Sequence, residues 1–386
     1  MSFLLPPPLS LYVHLPWCIR KCPYCDFNSF QAPAAASVRR QYFAAYTEAL
    51  LQELETEAKE AGDRKLVSIY LGGGTPSLFP PEEIKRIIST AGNLLNTASD
   101  IEISMEANPG TVTPDTLKNY REAGVNRLSL GIQSLNDTFL KRLCRIHNRE
   151  KALSAIALAR DTFLNFNIDL MHSLPGQSTA EALADLSEAL SFNPPHLSWY
   201  QLTLEEDTPF GQNPPALPAD EVIEDTCIEG FRLLKEAGYT HYEVSAFSRG
   251  NPCVHNSNYW KFGDYLAIGA GAHSKVTRNG KIVRKARLRN PDDYIRGVID
   301  PEKNCFQEIR TVNQEEFLFE YLLNRLRLFE AITAREFENA TGLPFSELRE
   351  RLQSFAEDGL VTISQNSLTL TPKGTSFVNT ILADFL

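Results

Sequence analysis

The chain has 386 residues, 43% hydrophobic and 22% charged, enough for a sizeable core and close to the globular average. No run approaches the roughly 20 apolar residues of a membrane span. Pro6, Pro7 and Pro8 stand where a signal peptide keeps its apolar stretch, so a cytoplasmic protein is expected. A net charge of −10 disfavours a broad nucleic-acid surface.

Through the first two hundred residues, β-rich runs alternate with amphipathic helical patterns. The runs cover 11–15, 66–71, 101–107, 127–132, 166–171 and 197–202; the helical patterns cover 41–61, 81–95, 114–123, 151–163 and 179–190. Strands separated by helices of this length pair in parallel through crossovers. Six such units in a row predict an α/β fold built as a partial (β/α)6 barrel of TIM type. The proline-rich stretch 203–219 reads as a linker or lid. A helix at about 220–237 and a strand at 242–246 follow. From 247 to about 290 helical periodicity is weak, and a hairpin is expected at Asn279 and Gly280. Three helical patterns (314–328, 333–340, 346–358), short strands at 360–363 and 367–370 and a last helix from Lys373 have the order of a winged-helix module. The expected domains are a core barrel over 1–240, a loop and hairpin extension over 241–310 and a small α+β winged-helix-like domain over 311–386. From Thr311 onward eleven acidic residues face six basic ones, which argues against a nucleic-acid partner.

Seven cysteines are unevenly spread, and Cys18, Cys22 and Cys25 crowd into a CxxxCxxC directly after the first strand. Such crowding points to metal or redox chemistry rather than disulfides. Three thiolates in one short loop can hold three irons of a cubane cluster. Clusters usually take four cysteines, so the fourth iron would be open to a chelating small molecule. Zinc is the alternative, but a structural zinc site wants four closed ligands, and no paired CxxC or HxxxH completes one. Gly72, Gly73, Gly74 and Thr75 end the second strand, where glycines let backbone approach a ligand and barrels keep their sites.

This cysteine spacing, with Tyr24 before the last cysteine, resembles the signature of the radical S-adenosylmethionine (SAM) superfamily. LYVHLPWC, KCPYCDF, YLGGGTPS, SMEANPG, LGIQS and NIDLMHSLPGQ are similar to the oxygen-independent coproporphyrinogen oxidase group, and HNSNYW to its haem-chaperone branch. The similarity runs from Leu11 into the C-terminal module. It implies a [4Fe–4S] cluster on Cys18, Cys22 and Cys25, with SAM chelating the open iron. It also implies SAM contacts from Tyr12, Tyr24, Gly72, Gly73, Gly74, Thr75, Glu106, Gln133, Arg145 and Asp169. Two departures from the oxidase pattern argue against coproporphyrinogen decarboxylation. Phe27 replaces the oxidase's further cysteine, and the oxidase's N-terminal extension has no counterpart before Tyr12.

His255, in HNSNYW, is the candidate axial haem ligand, with Tyr259 and Trp260 beside it to cover a macrocycle. The Cys253 thiolate is the other candidate ligand; His14, His172 and His273 are read first as hydrogen-bonded structural residues, with His273 or His172 next in line if neither His255 nor Cys253 ligates haem. The run 275–289 holds seven basic residues and no acidic one, either as a solvated face or as a partner for propionates. The function expected from the resemblance is a haem chaperone that carries the cluster and SAM, binds haem and hands it to acceptor haemoproteins. The alternative is a radical SAM oxidase or decarboxylase acting on a tetrapyrrole. A reductant protein is a further expected partner, no nucleic acid or membrane span is expected, and peripheral membrane contact with a haemoprotein acceptor stays open. Whether SAM is cleaved, and so whether the protein is an enzyme, is left undecided.

Overall fold

The structure, a computed structural model, describes residues 6–385. Its principal sheet has twelve strands: β1 (Leu9–Leu15), β2 (Lys65–Gly73), β3 (Asn96–Ala107), β4 (Arg127–Gln133), β5 (Asn165–His172), β6 (His196–Gln201), β7 (Thr240–Glu243), β8 (Ala246–Ser248), β9 (Asp264–Ile268), β10 (His273–Arg278), β11 (Lys281–Arg287) and β12 (Phe306–Thr311). They lie in the order β12-β11-β10-β9-β1-β2-β3-β4-β5-β6-β8-β7. Strands β9 and β1 to β6 pair in parallel. The antiparallel additions β8 and β7 extend one edge, and β10 to β12 the other. From β1 to β6 the order never reverses. Right-handed crossovers therefore keep the helices on one face, and the sheet curls round the other. The result is the open α/β barrel that the alternation implied.

Local chemistry agrees with this frame. Strand β1 buries nearly every residue, as a central parallel strand does. Helix Pro114–Glu122 starts with proline and a Thr113–Thr116 capping box. Ser178 and Glu181 form a second box at Thr179–Ser191, each cap being worth about 1 kcal/mol.

Two stretches differ from expectation. The stretch 247–290, expected to be mostly loop, contains a seven-residue helix, Val254–Trp260, and three sheet strands. The hairpin at Asn279 and Gly280 is present, with φ of 48° and 73°. The basic run 275–289 is neither a solvated face nor, taken whole, free to bind propionates. Lys275 is buried against Asp264 at 3.0 Å, and Arg287 against Glu53 at 2.8 Å and Glu57 at 3.0 Å. Lys285 pairs with Glu57, Arg278 with Glu60 and Arg284 with Glu320. Glu53, Glu57 and Glu60 sit on the long helix Ala36–Ala61, so one acidic helix face neutralises Arg278, Lys285 and Arg287.

The C-terminal residues add a three-stranded sheet (Ile332–Thr333, Val361–Ile363, Ser367–Leu370) and the helices around it. Their apolar core, built on Tyr321, Phe337 and Leu348, also takes in Phe262 and Ile282 from the barrel side. A backbone bridge from Glu243 to Leu328 caps the β7 edge, and Arg327 lies over the Trp260 ring at 4.5 Å. Among the described residues no helix is long and apolar enough to cross a membrane.

Candidate functional site

The three clustered cysteines leave the C-terminal end of β1 on a loop closed by backbone hydrogen bonds. Phe30 N donates to the Pro16 carbonyl (2.7 Å), Ala32 N to Cys18 (2.8 Å) and Cys25 N to Cys22 (3.2 Å). The loop folds onto the glycine run, where Gly74 N donates to Leu15 O and Thr75 N to Trp17 O. The contact leaves no room for a side chain, since a Cβ on Gly74 would stand 2.7 Å from the Trp17 carbonyl oxygen. Gly73, at φ +114°, would drive a Cβ into the His14 ring. These glycines thus serve close approach of backbone to backbone. The N–H groups of Gly73 and Gly74, expected to meet a ligand, are already given to Glu106 and Leu15.

All three thiols open on one cavity of about 280 Å³, whose walls include Tyr24, Gly73, Gly74, Thr75, Glu106, Gln133, Arg145 and Asp169. The Thr75 hydroxyl donates to Cys18 Sγ at 3.4 Å, and Arg145 Nη1 to Cys22 Sγ at 3.6 Å. Donors of this kind suit thiolates. Among the described residues no three metal-binding side chains surround a single ion. Three thiols opening on one cavity, two of them beside hydrogen-bond donors, make a donor set that fits a cluster.

Two carboxyls face the cavity from neighbouring strands. Glu106, from β3, accepts from Tyr70 Oη (2.9 Å) and Gly73 N (3.1 Å). Burial pushes its pKa up to about 7, with the Asp169 charge adding to the effect. Asp169, from β5, accepts from Ser129 Oγ (3.0 Å) and Asn167 Nδ2 (2.7 Å). Burial raises its pKa too, against those hydrogen bonds and the Arg127 charge. Gln133 ends β4 at φ 70°, with its Oε1 accepting from Tyr200 Oη at 2.8 Å. A non-glycine residue held in that region costs about 1–3 kcal/mol, and such outliers gather at functional sites.

Tyr12 and Gly72 are not walls of this cavity. Tyr12 lines a neighbouring one, and its hydroxyl pairs with His14 Nδ1 at 2.9 Å. His255 lines neither. It is buried, with Nδ1 2.9 Å from Ser68 Oγ and its ring stacked on Tyr70 at 4.8 Å. Its Nε2 has no hydrogen-bond partner among the described residues, but the ring lies off both cavities. The Glu102 carboxylate fastens its helix by accepting from Val254 N and His255 N, both at 3.1 Å.

Arg127, Ser129, Asn167, Ser198 and Tyr200 also face the cavity and were not anticipated. Their signal is periodic. Arg127, Ser129, Gly131 and Gln133 alternate with apolar residues along β4, as do Asn167 and Asp169 along β5 and Ser198 and Tyr200 along β6. Alternation of this kind marks a polar barrel lumen.

Residues 12–189 match the model of the radical SAM superfamily, and residues 312–377 that of the HemN C-terminal domain. The chain is 44% identical to the heme chaperone HemW of Haemophilus influenzae over 98% of both chains. It is equally similar to that of Escherichia coli, again over 98% of both. The chain belongs to the HemW family of the radical SAM superfamily. A mitochondrial radical S-adenosyl methionine domain-containing protein 1 from Bos taurus is 33% identical over 98% of this chain and 87% of its own. Coproporphyrinogen III oxidase (HemN) from Escherichia coli shares the fold. Its TM-score is 0.82 at 24% identity, over 98% of this chain and 90% of the oxidase. A HemW family member with the oxidase's fold thus keeps three thiols, two half-buried carboxyls and an arginine around one barrel cavity.

Proposed function

We propose that this protein is a haem chaperone that carries a [4Fe–4S] cluster, binds SAM, takes up haem and delivers it to acceptor haemoproteins. The observation that carries the reading is its end-to-end 44% identity with two proteins named heme chaperone HemW. Cys18, Cys22 and Cys25 would hold the cluster, with Thr75 and Arg145 donating to its thiolates. Glu106 is suited to ribose hydroxyls; Gln133, Arg145 and Asp169 stand round the same space for the rest of SAM. When bound, the cluster and SAM supply reductive one-electron chemistry, for which a reductant protein is a partner. The reading divides the chain into a core barrel (1–240), an extension with HNSNYW (241–310) and a C-terminal winged-helix-like domain (311–386), and sets it in the cytoplasm. The oxidase alternative has no comparable support, since Phe27 stands in place of that enzyme's further cysteine.

Anaerobic reconstitution with iron and sulfide, followed by hemin titration and transfer to an apo-haemoprotein, tests this function. Stoichiometric uptake and transfer are expected, with no conversion of coproporphyrinogen III. Release of carbon dioxide from that substrate, without haem transfer, would overturn the chaperone in favour of the oxidase.

A further inference from the structure

Beside the thiol-lined cavity lies a second, of about 330 Å³, which shares Phe27 and Glu106 with it. Its other walls include three tyrosines, Tyr12, Tyr259 and Tyr265, and two histidines: His14, whose ring nitrogens are bonded to Tyr12 and Asn28, and the exposed His273. Phe27 is 59% exposed and lines both cavities. Tyr259 belongs to HNSNYW, so the motif reaches this space through its tyrosine rather than its histidine.

A haem carrier needs a side chain that can reach iron. Of the seven histidines, His14, His147, His172, His196 and His255 are buried. His241 is packed among Phe231, Phe247 and Phe329. His273 alone is exposed, and it stands at the cavity. Of the seven cysteines, Cys253 and Cys305 are buried, three belong to the cluster loop, and the half-buried Cys144 and Cys227 line neither cavity. Partial burial, then the charges of Arg287 and Arg284, hold the His273 pKa below its ordinary value. The ring is therefore neutral near pH 7, the state that donates a lone pair to iron.

The rim also carries a cation. Most of the basic run 275–289 is paired with carboxylates, whereas Arg289 is exposed and has no ion pair among the described residues. Its Nε lies 3.5 Å from the Oδ1 of Asn28, a cavity residue. A guanidinium there suits a carboxylate.

The geometry points to this second cavity as the haem site, with His273 as axial ligand, Phe27, Tyr259 and Tyr265 against one edge of the ring and Arg289 taking a propionate. The assignment rests on the haem-chaperone reading. Binding is a lone-pair donation to ferric iron with displacement of a weakly held water, so no electron moves and no proton leaves the neutral ring. The cavity encloses only part of a macrocycle and leaves the far edge exposed, as a carrier that must release its cargo requires.

The test is hemin titration of the full-length, cluster-loaded protein, read by absorbance and by electron paramagnetic resonance of the ferric haem. The oxidised cluster is silent in the second readout. The parent should show an imidazole-ligated signal. His273→Ala should change that signal and weaken hemin binding at least tenfold, and added imidazole should restore the signal in His273→Gly. Arg289→Ala should weaken binding with the signal unchanged, whereas Lys281→Ala should alter neither. No hemin binding by the parent would defeat the chaperone reading, and this site with it. Parent-like signal and affinity in His273→Ala, or loss of the signal in His255→Gln alone, would overturn this site while leaving that reading intact.

Discussion

Replacing Glu106 by glutamine removes a charge whose state the barrel itself controls. Burial raises its pKa to about 7 from the ordinary 4.5, and the Tyr70 hydroxyl and Gly73 N–H only partly oppose the shift. Below pH 7 the group is mostly a neutral acid; above it, mostly a carboxylate that can accept ribose hydroxyls. The ionised fraction climbs from about a tenth at pH 6 to about nine tenths at pH 8. If the carboxylate is the binding form, SAM affinity should rise about tenfold over that range, or about 1.4 kcal/mol.

Calorimetric titration of the anaerobic, cluster-loaded protein with SAM at pH 6, 7 and 8 measures this. The SAM amino group titrates as well, so the quantity to read is the difference between parent and Glu106→Gln. The variant should bind within about threefold of the parent at pH 6 and about tenfold more weakly at pH 8. Stability provides an independent check of opposite sign. An acid whose folded pKa is raised contributes stability at low pH that is lost as pH rises through about 7. Ligand-free Glu106→Gln should therefore melt above the parent at pH 8 and near it at pH 5. Identical pH slopes for SAM binding in parent and variant would refute the reasoning.

Three further outcomes test the rest of the frame. Alanine at Cys18, Cys22 or Cys25 should abolish the brown chromophore, because each thiolate holds a separate iron, while Cys227→Ala should keep it; parent-like iron and sulfide in Cys18→Ala would contradict the ligand set. Arg287→Met leaves Glu53 and Glu57 buried and short of a partner, so urea unfolding should show a loss of about 3–5 kcal/mol, and a loss under 1 kcal/mol would mean the pairs add nothing. Gly74→Ala sets a methyl 2.7 Å from the Trp17 carbonyl, so the cysteine loop should shift and iron content fall; an unchanged iron content would show that the loop yields freely.

The barrel was legible because its signal is local and repeated. Each strand from β1 to β6 coincides with an apolar run, and each following helix shows its own 3.6-residue period or cap. The cysteine loop was legible for the same reason, its ligands lying within eight residues. Boundaries were less so. Strand β3 begins at Asn96, five residues before its apolar run, because pairing with Lys65 and Leu66 extends the ladder through polar residues. Ser129, Asn167 and Ser198 were passed over because each alone reads as ordinary strand polarity. Only the curled sheet, which turns alternate residues into one lumen, gives them a common address.

What stayed hidden depends on partners far away in the chain. Arg287 looks like one more solvated base until Glu53 and Glu57, over 200 residues earlier, stand beside it. His255 looks like a ligand until Ser68 and Tyr70 close over it. The same long-range pairing turns both readings round. A run that looked free is mostly neutralised, which isolates Arg289 as its unpaired guanidinium at the cavity rim. A histidine that looked available is enclosed, which leaves His273, until then only a fallback candidate, as the exposed imidazole. Subtraction of this kind needs the fold, because burial and ion pairing decide which of several chemically identical side chains a ligand can meet.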